Sequence, residues 1–180
     1  MLLRFALLLL MSVPAFAEEP INISLRNAYA PSVFSNKGLD ITTAVSVVMA
    51  ELEADPNTDW DAVNLDALLT HLADLDMVLQ NAYVQEDALR SMGYRFSIDG
   101  DGPTIAALRR VLTAHIQATQ GSDDWHYEAS FTGSRVELLV HSSGDGYSLL
   151  SSQGFLGMLL SHELSLVRHM AIATGEAAYL

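Results

Sequence analysis

The chain has 180 residues, of which 22 are acidic and 9 are basic, so its formal net charge is −13 at pH 7. An acidic excess of this size predicts no nucleic-acid partner and no affinity for anionic membrane surfaces. The sequence contains no cysteine, which excludes disulfides, thiol redox chemistry, a cysteine nucleophile and thiolate metal ligands. A chain of this length suits one domain with a sizeable core.

Residues 1–17 have the pattern of a secretory signal peptide. Arg4 supplies the short positive region, residues 5–13 form an apolar core, and Ala15 and Ala17 give the small-x-small cleavage pattern. We therefore expect cleavage after Ala17 and a periplasmic or secreted protein, with an uncleaved N-terminal anchor as the alternative. No later apolar run approaches the roughly twenty residues that a membrane-spanning helix needs.

The next part of the sequence predicts an arm and two helices. Residues 18–38 carry prolines and asparagines without helical periodicity, which indicates an extended arm. Residues 41–55 keep apolar residues at helical spacing, although their β-branched run also favours a strand, and we expect a helix. Residues 59–82 repeat leucine every three or four positions, with Asp59 placed to cap the helix. The two helices are expected to form a helical hairpin.

After residue 85 the periodicity changes from helix to strand. Residues 94–98 alternate as a strand that ends at a glycine turn, and Pro103 then occupies a favourable position in the first turn of a helix. Residues 125–131 and 135–143 predict a β-hairpin. Residues 149–173 predict one long final helix.

Both junctions between a strand and a helix carry the tripeptide Gly-Asp-Gly, and an offset of 44 residues aligns Asp101 with Asp145. This pattern indicates an internal repeat, with common turn chemistry as the alternative explanation. For residues 39–180 we therefore expect a single α+β domain. Its N-terminal helical hairpin is followed by two strand–helix units that form a small sheet packed by helices.

The register of the predicted hairpin decides where two histidines lie. Alternation along both strands favours a pairing of Phe131 with Val136, because the other register sets two glutamates opposite each other. This pairing places His126 directly across from His141. Two opposed histidines on an exposed face can chelate a metal, and the alternative is that they are unrelated surface residues.

Residues 161–170, SHELSLVRHM, have a superficial likeness to a zinc protease. The motif H-E-x-x-H needs two histidines four residues apart, so that both reach one zinc. Here Leu166 occupies that position, and His169 follows His162 by seven residues. On one continuous helix the two imidazoles would lie roughly 10 Å apart along the axis. The spacing excludes this class of protease.

Single ligands from several helices are the remaining candidates for a metal site. Met158 lies one helical turn before His162, and His115 corresponds to His162 in the internal repeat when three extra residues are allowed. His71 lies at the edge of the leucine stripe. Imidazole and thioether ligands suit copper, and imidazole also suits zinc. The predicted transition-metal site therefore comprises His71, His115, His162 and Met158; the alternative is half-buried polar histidines and a core methionine.

The glycines of GFLG, Gly154 and Gly157, allow another element to approach the last helix closely. Core packing is the default explanation, and a seam for a homodimer or a protein partner is the alternative. The sequence has no G-x-S-x-G elbow, P-loop or dinucleotide fingerprint, so nothing in it supports a catalytic nucleophile.

Three segments resemble small exported bacterial proteins of uncharacterised function: residues 59–78, residues 106–118, and GFLG followed by histidines and MAIATG. The resemblance implies export and no particular activity. It also implies a denser histidine cluster in the last helix, where this chain has Ser165, Leu166 and Arg168. The expected function is an exported, non-enzymatic protein that binds copper or zinc. A structural or interaction module without metal is the alternative, and a hydrolase ranks third.

Overall fold

The computed structural model describes residues 34–35, 38–90, 92–119 and 125–179. The predicted signal peptide and most of the predicted arm lie outside the described residues. The end of the arm forms a short antiparallel pair of strands, β1 (Phe34–Ser35) and β2 (Gly38–Leu39). The backbone of β2 is tied to the domain, because Leu39 N donates to Asp76 Oδ1 over 2.9 Å.

A four-stranded antiparallel sheet forms the centre of the fold, in the order β3-β4-β6-β5. Its strands are β3 (Tyr83–Leu89), β4 (Gly93–Asp99), β5 (Trp125–Thr132) and β6 (Arg135–Ser142). The sequence did not predict β3. This strand lies at an edge of the sheet and is mostly exposed, so its side chains lack the apolar alternation of the central strands.

The two central strands supply most of the sheet's contribution to the core. Tyr94 pairs with Val140, and Phe96 pairs with Leu138. In the neighbouring hairpin, Phe131 pairs with Val136 and His126 with His141, which confirms the register predicted from the sequence. Pairing extends one step further, to Thr132 and Arg135, so that only Gly133 and Ser134 form the turn.

Five helices are present in the described residues: α1 (Ile41–Ala54), α2 (Leu65–Asn81), α3 (Gly102–Thr119), α4 (Gly144–Glu163) and α5 (Leu166–Ala173). The helical prediction for α1 is confirmed, with Asp40 as its N-cap. The predicted start of α2 was wrong, because Asn64 and not Asp59 caps it, accepting a hydrogen bond from Ala67 N. Residues 60–62 form a turn instead.

The prediction of one long final helix was also wrong, for two reasons. First, α4 ends at Glu163, and Ser165 caps a separate helix by accepting a hydrogen bond from Arg168 N. Second, Gly154 interrupts α4 with φ 62° and ψ −154°, a conformation that favours glycine. The backbone N–H that follows this kink, Phe155 N, donates to Glu86 Oε1 of β3 over 2.9 Å.

The helices lie in layers against one another and the sheet. α4 contacts β3, β4 and β6, α3 contacts β5, and α2 packs on α3 and α5. The core is continuous across these layers and includes Phe96, Leu138 and Phe155. This mixture of helices and an antiparallel sheet confirms the α+β class. No described helix combines the length and apolar character that crossing a membrane requires.

Candidate functional site

The carboxylate of Glu163 is the centre of a buried polar cluster. Glu163 is the last residue of α4, and its side chain has no exposed surface. The C-terminal end of a helix disfavours a carboxylate electrostatically, so this group depends on the donors that neighbouring elements bring to it. The side chains around it come from α2, α3, α4 and α5: His71, His115, His162, Arg168 and His169.

Two imidazoles share one oxygen of this carboxylate. The Nδ1 of His115 lies 3.0 Å from Glu163 Oε1, and the Nδ1 of His162 lies 2.9 Å from the same atom. The two rings are nearly perpendicular, with centroids 5.5 Å apart. A carboxylate oxygen can only accept, so each histidine donates its Nδ1–H to it. The oxygen is therefore a shared acceptor between α3 and α4.

The opposite side of Glu163 faces Arg168 and the deeper histidines. Arg168 Nε donates to Glu163 Oε2 over 3.2 Å. His71 Nε2 lies 3.3 Å from the backbone oxygen of Glu163 and 3.7 Å from Oε2. The rings of His71 and His169 meet edge to face at 5.4 Å. The imidazoles of His71 and His169 are thus buried beside the guanidinium of Arg168, and these three residues form the deep side of the cluster.

The environment holds Glu163 ionised and the deep histidines neutral. Burial alone raises the pKa of Glu163, but hydrogen bonds from His115 and His162, with the charge of Arg168, bring that pKa well below its usual range. Burial lowers the pKa of His71 to about 4 and that of His169 to about 3. Near neutral pH the deep side therefore faces the buried carboxylate with one positive charge, that of Arg168.

Two tyrosines contact the cluster, one on each side. Tyr127 OH lies 3.3 Å from His115 Nε2, and burial raises the pKa of this phenol, so it stays protonated. On the deep side, Tyr179 packs its ring 4.6 Å from that of His71 and donates to Asp74 Oδ2 over 2.8 Å. Each tyrosine therefore limits the orientation of one imidazole, Tyr127 that of His115 and Tyr179 that of His71.

A pocket of about 370 Å³ opens onto the side that carries His115 and His162. The side chain of His162 is 34 % exposed, whereas those of His71 and Glu163 have no exposure. Further lining residues are Thr119, Trp125, Tyr127, Asp145, Gly146, Leu149, Met158 and Ser161. Solvent therefore reaches the cluster from the side of the two imidazoles that share Oε1.

The predicted metal-site residues are placed around this cluster in two groups. His115, His162 and Met158 line the pocket. His71 also contacts Glu163, but from the deep side. Glu163, the glutamate of the protease-like segment, was not among the predicted ligands, and its role as the shared acceptor was missed. The available signal was a carboxylate at the end of an apolar helix, where burial demands partners.

The atoms that could hold a metal are the Nδ1 atoms of the two imidazoles and Oε1 of Glu163. His115, His162 and Glu163 offer ligand atoms that all lie within 4.8 Å of one another. Two ligands of one tetrahedral zinc, each 2.0–2.1 Å from it, lie about 3.3 Å apart. The observed separations of 3.0 and 2.9 Å are only a few tenths of an ångström shorter. An ion held by all three groups would require both of these contacts to lengthen by those few tenths of an ångström.

The two glycines predicted to permit a close approach are both buried within the chain. A Cβ added to Gly154 would collide with the carboxylate of Glu86, and one added to Gly157 would collide with the side chain of Gln153. The close approach at Gly154 is therefore made by β3 of the same chain. A homodimer or partner seam at these glycines stays a prediction.

The opposed histidines of the hairpin lie on neighbouring strands, and one of them also contacts β4. The ring of His141 lies over Gly93 of β4, since a Cβ built there would be 2.7 Å from His141 Nδ1. His126 belongs to β5, on the other side of β6. In the described residues the groups of three or more candidate ligands do not include this pair.

Comparison with known proteins does not add a function. No family model, no curated protein and no solved structure matches the chain. Fold and site together define the class as an α+β protein with a buried carboxylate shared by two pocket-facing imidazoles.

Proposed function

We propose that this protein binds one transition-metal ion, zinc or copper, through His115, His162 and Glu163, and acts as an exported binding protein and not as an enzyme. The observation that carries the proposal is the pair of Nδ1 atoms at 3.0 and 2.9 Å from one carboxylate oxygen. In the metal-free protein these contacts are hydrogen bonds. A metal ion takes the place of the two protons.

The groups behind the imidazoles suit such an exchange. When Nδ1 of His115 becomes a ligand, its proton moves to Nε2, and Nε2–H then donates to Tyr127 OH, 3.3 Å away. A hydroxyl can accept this bond as well as donate the one it replaces. Metal-bound histidines ordinarily make such a second bond, which fixes the tautomer and the ring orientation.

The donor set favours zinc or copper over harder ions. Two nitrogens and one carboxylate oxygen match zinc, whose three-ligand sites include two histidines with one glutamate. Met158 lies on the same pocket and would add a soft sulfur, which suits Cu(I). The acidic character of the chain, with a net charge of −13, attracts cations in either case.

A structural or interaction module is the second candidate, and one observation favours it. Both carboxylate oxygens of Glu163 already have hydrogen-bond partners, from His115 and His162 on one side and Arg168 on the other. The cluster can therefore serve as an internal network that joins α3, α4 and α5 without any ion. A hydrolase ranks third, because the described pocket pairs no nucleophile with a base in the manner of a catalytic triad.

Native mass spectrometry of the purified protein, titrated with Zn(II) and with Cu(I), tests the proposal. We expect one bound ion, and His162→Ala should weaken binding at least about a hundredfold, since it removes a ligand at the most exposed edge of the cluster. His126→Ala is the matched control, because it deletes an exposed histidine outside the cluster. Absence of binding, or equal binding by both variants, would leave the structural candidate.

A further inference from the structure

The proposed metal site is incomplete on the side of the pocket, and the inference below rests on that proposed function. His115, His162 and Glu163 supply three ligands, whereas zinc and copper(II) take four or more. Arg168 and His71 occupy the opposite side of the carboxylate, so a further ligand must approach from the pocket. Sites with three protein ligands commonly leave the remaining position to water or a small molecule.

The pocket is larger than a single water needs. Its volume is about 370 Å³, and a water molecule accounts for about 30 Å³ of liquid. One wall is aromatic, because the rings of Trp125 and Tyr127 lie parallel, 6° apart in plane and with centroids separated by 5.9 Å. Leu149 and Met158 add apolar surface. The space and its apolar walls accommodate a small flat molecule.

The lining of the pocket favours a neutral donor over an anion. The positive charge of the metal attracts both kinds of ligand, so the difference between them comes from the walls. Asp145 lines the pocket and neither an arginine nor a lysine does, so an azide or carboxylate on the metal would lie beside a carboxylate without a cationic partner. A neutral nitrogen donor avoids this contact, still binds zinc or copper, and can place its ring on the aromatic wall.

We propose that the pocket holds a small neutral molecule with an aromatic nitrogen donor, which completes the coordination of the bound metal while its ring packs beside Trp125 and Met158. Imidazole is the simplest member of this class. The protein then binds a metal together with an organic ligand and not a bare ion. The rival for the open position is the sulfur of Met158.

The test uses Co(II) as the metal, because its visible absorption reports the number and type of its ligands. The Co(II)-loaded protein is titrated with imidazole and, separately, with sodium azide, and native mass spectrometry confirms that cobalt and imidazole are bound together and that cobalt has not been removed. We expect imidazole to change the spectrum and to bind at least about tenfold more tightly than azide. Asp145→Asn should narrow this preference by strengthening azide binding.

A pocket-filling variant supplies the second arm. Leu149→Trp should weaken imidazole binding about tenfold with little change in cobalt affinity, because the new ring takes the space of the ligand and touches no metal ligand. Leu69→Trp is its control, since Leu69 is an exposed leucine outside the pocket.

The outcomes separate the inference from the function on which it rests. A cobalt spectrum that imidazole leaves unchanged, azide binding as tight as imidazole binding, or an indifferent Leu149→Trp variant would each overturn the pocket ligand and leave the metal site standing. Failure of Co(II), Zn(II) and Cu(I) alike to bind would overturn the metal site and the pocket ligand with it.

Discussion

The two sides of Glu163 use the same chemistry for different ends. On the pocket side, His115 and His162 share one carboxylate oxygen, and solvent reaches His162. On the deep side, His71 and His169 are held neutral by burial beside Arg168. The two sides therefore differ in solvent access and not in residue type. The metal binding that we propose belongs to the accessible pocket side, whereas the deep side is part of the core.

Removing the carboxylate charge should break both sides at once and produce the largest effect. Glu163→Gln leaves the guanidinium of Arg168 buried without a counter-charge, so we expect the free energy of unfolding to fall by about 3–5 kcal/mol. Denaturant unfolding measures this change, provided that the free energy of unfolding has the same dependence on denaturant concentration in the variant and the parent. Glu128→Gln, an exposed carboxylate on β5, should stay within about 0.5 kcal/mol of the parent. Equal behaviour of the two variants would show that the cluster does not stabilise the fold.

Acid should test the deep side separately. The pKa of His71 is about 4 in the folded protein against 6.5 in the unfolded chain, so the unfolded chain binds the extra proton between these values. The contribution of neutral His71 to the free energy of unfolding is therefore fully present above pH 6.5. It is lost as the pH falls towards 4, and the loss from this residue amounts to about 3 kcal/mol. Between pH 8 and pH 5, the free energy of unfolding should fall less steeply in His71→Phe than in the parent protein.

Glu163 contributes little to this slope, because its pKa is lowered from 4.5 and its effect on stability therefore falls mainly below pH 4.5. Measurements above pH 5 avoid that range. His126→Phe changes an exposed histidine and should keep the slope of the parent. An unchanged slope in His71→Phe would mean that His71 takes up its proton without unfolding, contrary to a sealed deep side.

Removing the tyrosine hydroxyl beside His115 on the pocket side should have a smaller effect on stability. Tyr127→Phe deletes the hydroxyl next to His115 Nε2, and we expect about 1 kcal/mol of lost stability and about a tenfold weaker metal affinity. Calorimetric titration with Zn(II) and denaturant unfolding provide the two readouts. Tyr83→Phe, at an exposed tyrosine, should change neither. Lower stability with unchanged metal affinity would show that the hydroxyl supports the fold but not metal binding by His115.

The smallest expected effect distinguishes the two metals. Met158→Leu conserves volume in a buried position, so its cost in stability should stay below about 1.5 kcal/mol. If the sulfur is a ligand, Cu(I) affinity should fall about tenfold while Zn(II) affinity is kept. Met49→Leu, a partly buried methionine of α1, is the control. Equal affinities for Cu(I) in both variants would remove Met158 from the site.

Local pattern was sufficient for the parts of the fold that depend on local chemistry. The alternation of β4 and the pairing of Phe131 with Val136 follow from side-chain phase, and both were predicted. The edge strand β3 was missed, because an exposed strand needs no apolar alternation. The kink at Gly154 was missed as well, because it depends on Glu86 of β3 accepting the next backbone N–H.

The site could be predicted only in part, because its centre depends on distant contacts. His71, His115, His162 and Met158 were selected from ligand chemistry, and all four lie on the Glu163 cluster or its pocket. Glu163 could not be recognised as their meeting point. Its partners His71 and His115 are 92 and 48 residues away in the chain, and no local pattern reports such separations.

Anomalous diffraction from a crystal of the zinc-loaded protein tests the central claim most directly. We expect one strong peak about 2.0–2.2 Å from the Nδ1 atoms of His115 and His162 and from Oε1 of Glu163, with the two hydrogen bonds to Glu163 gone. A peak elsewhere, or no peak while His115 and His162 keep their hydrogen bonds to Glu163, would contradict it. The cluster would then be an internal network of the core.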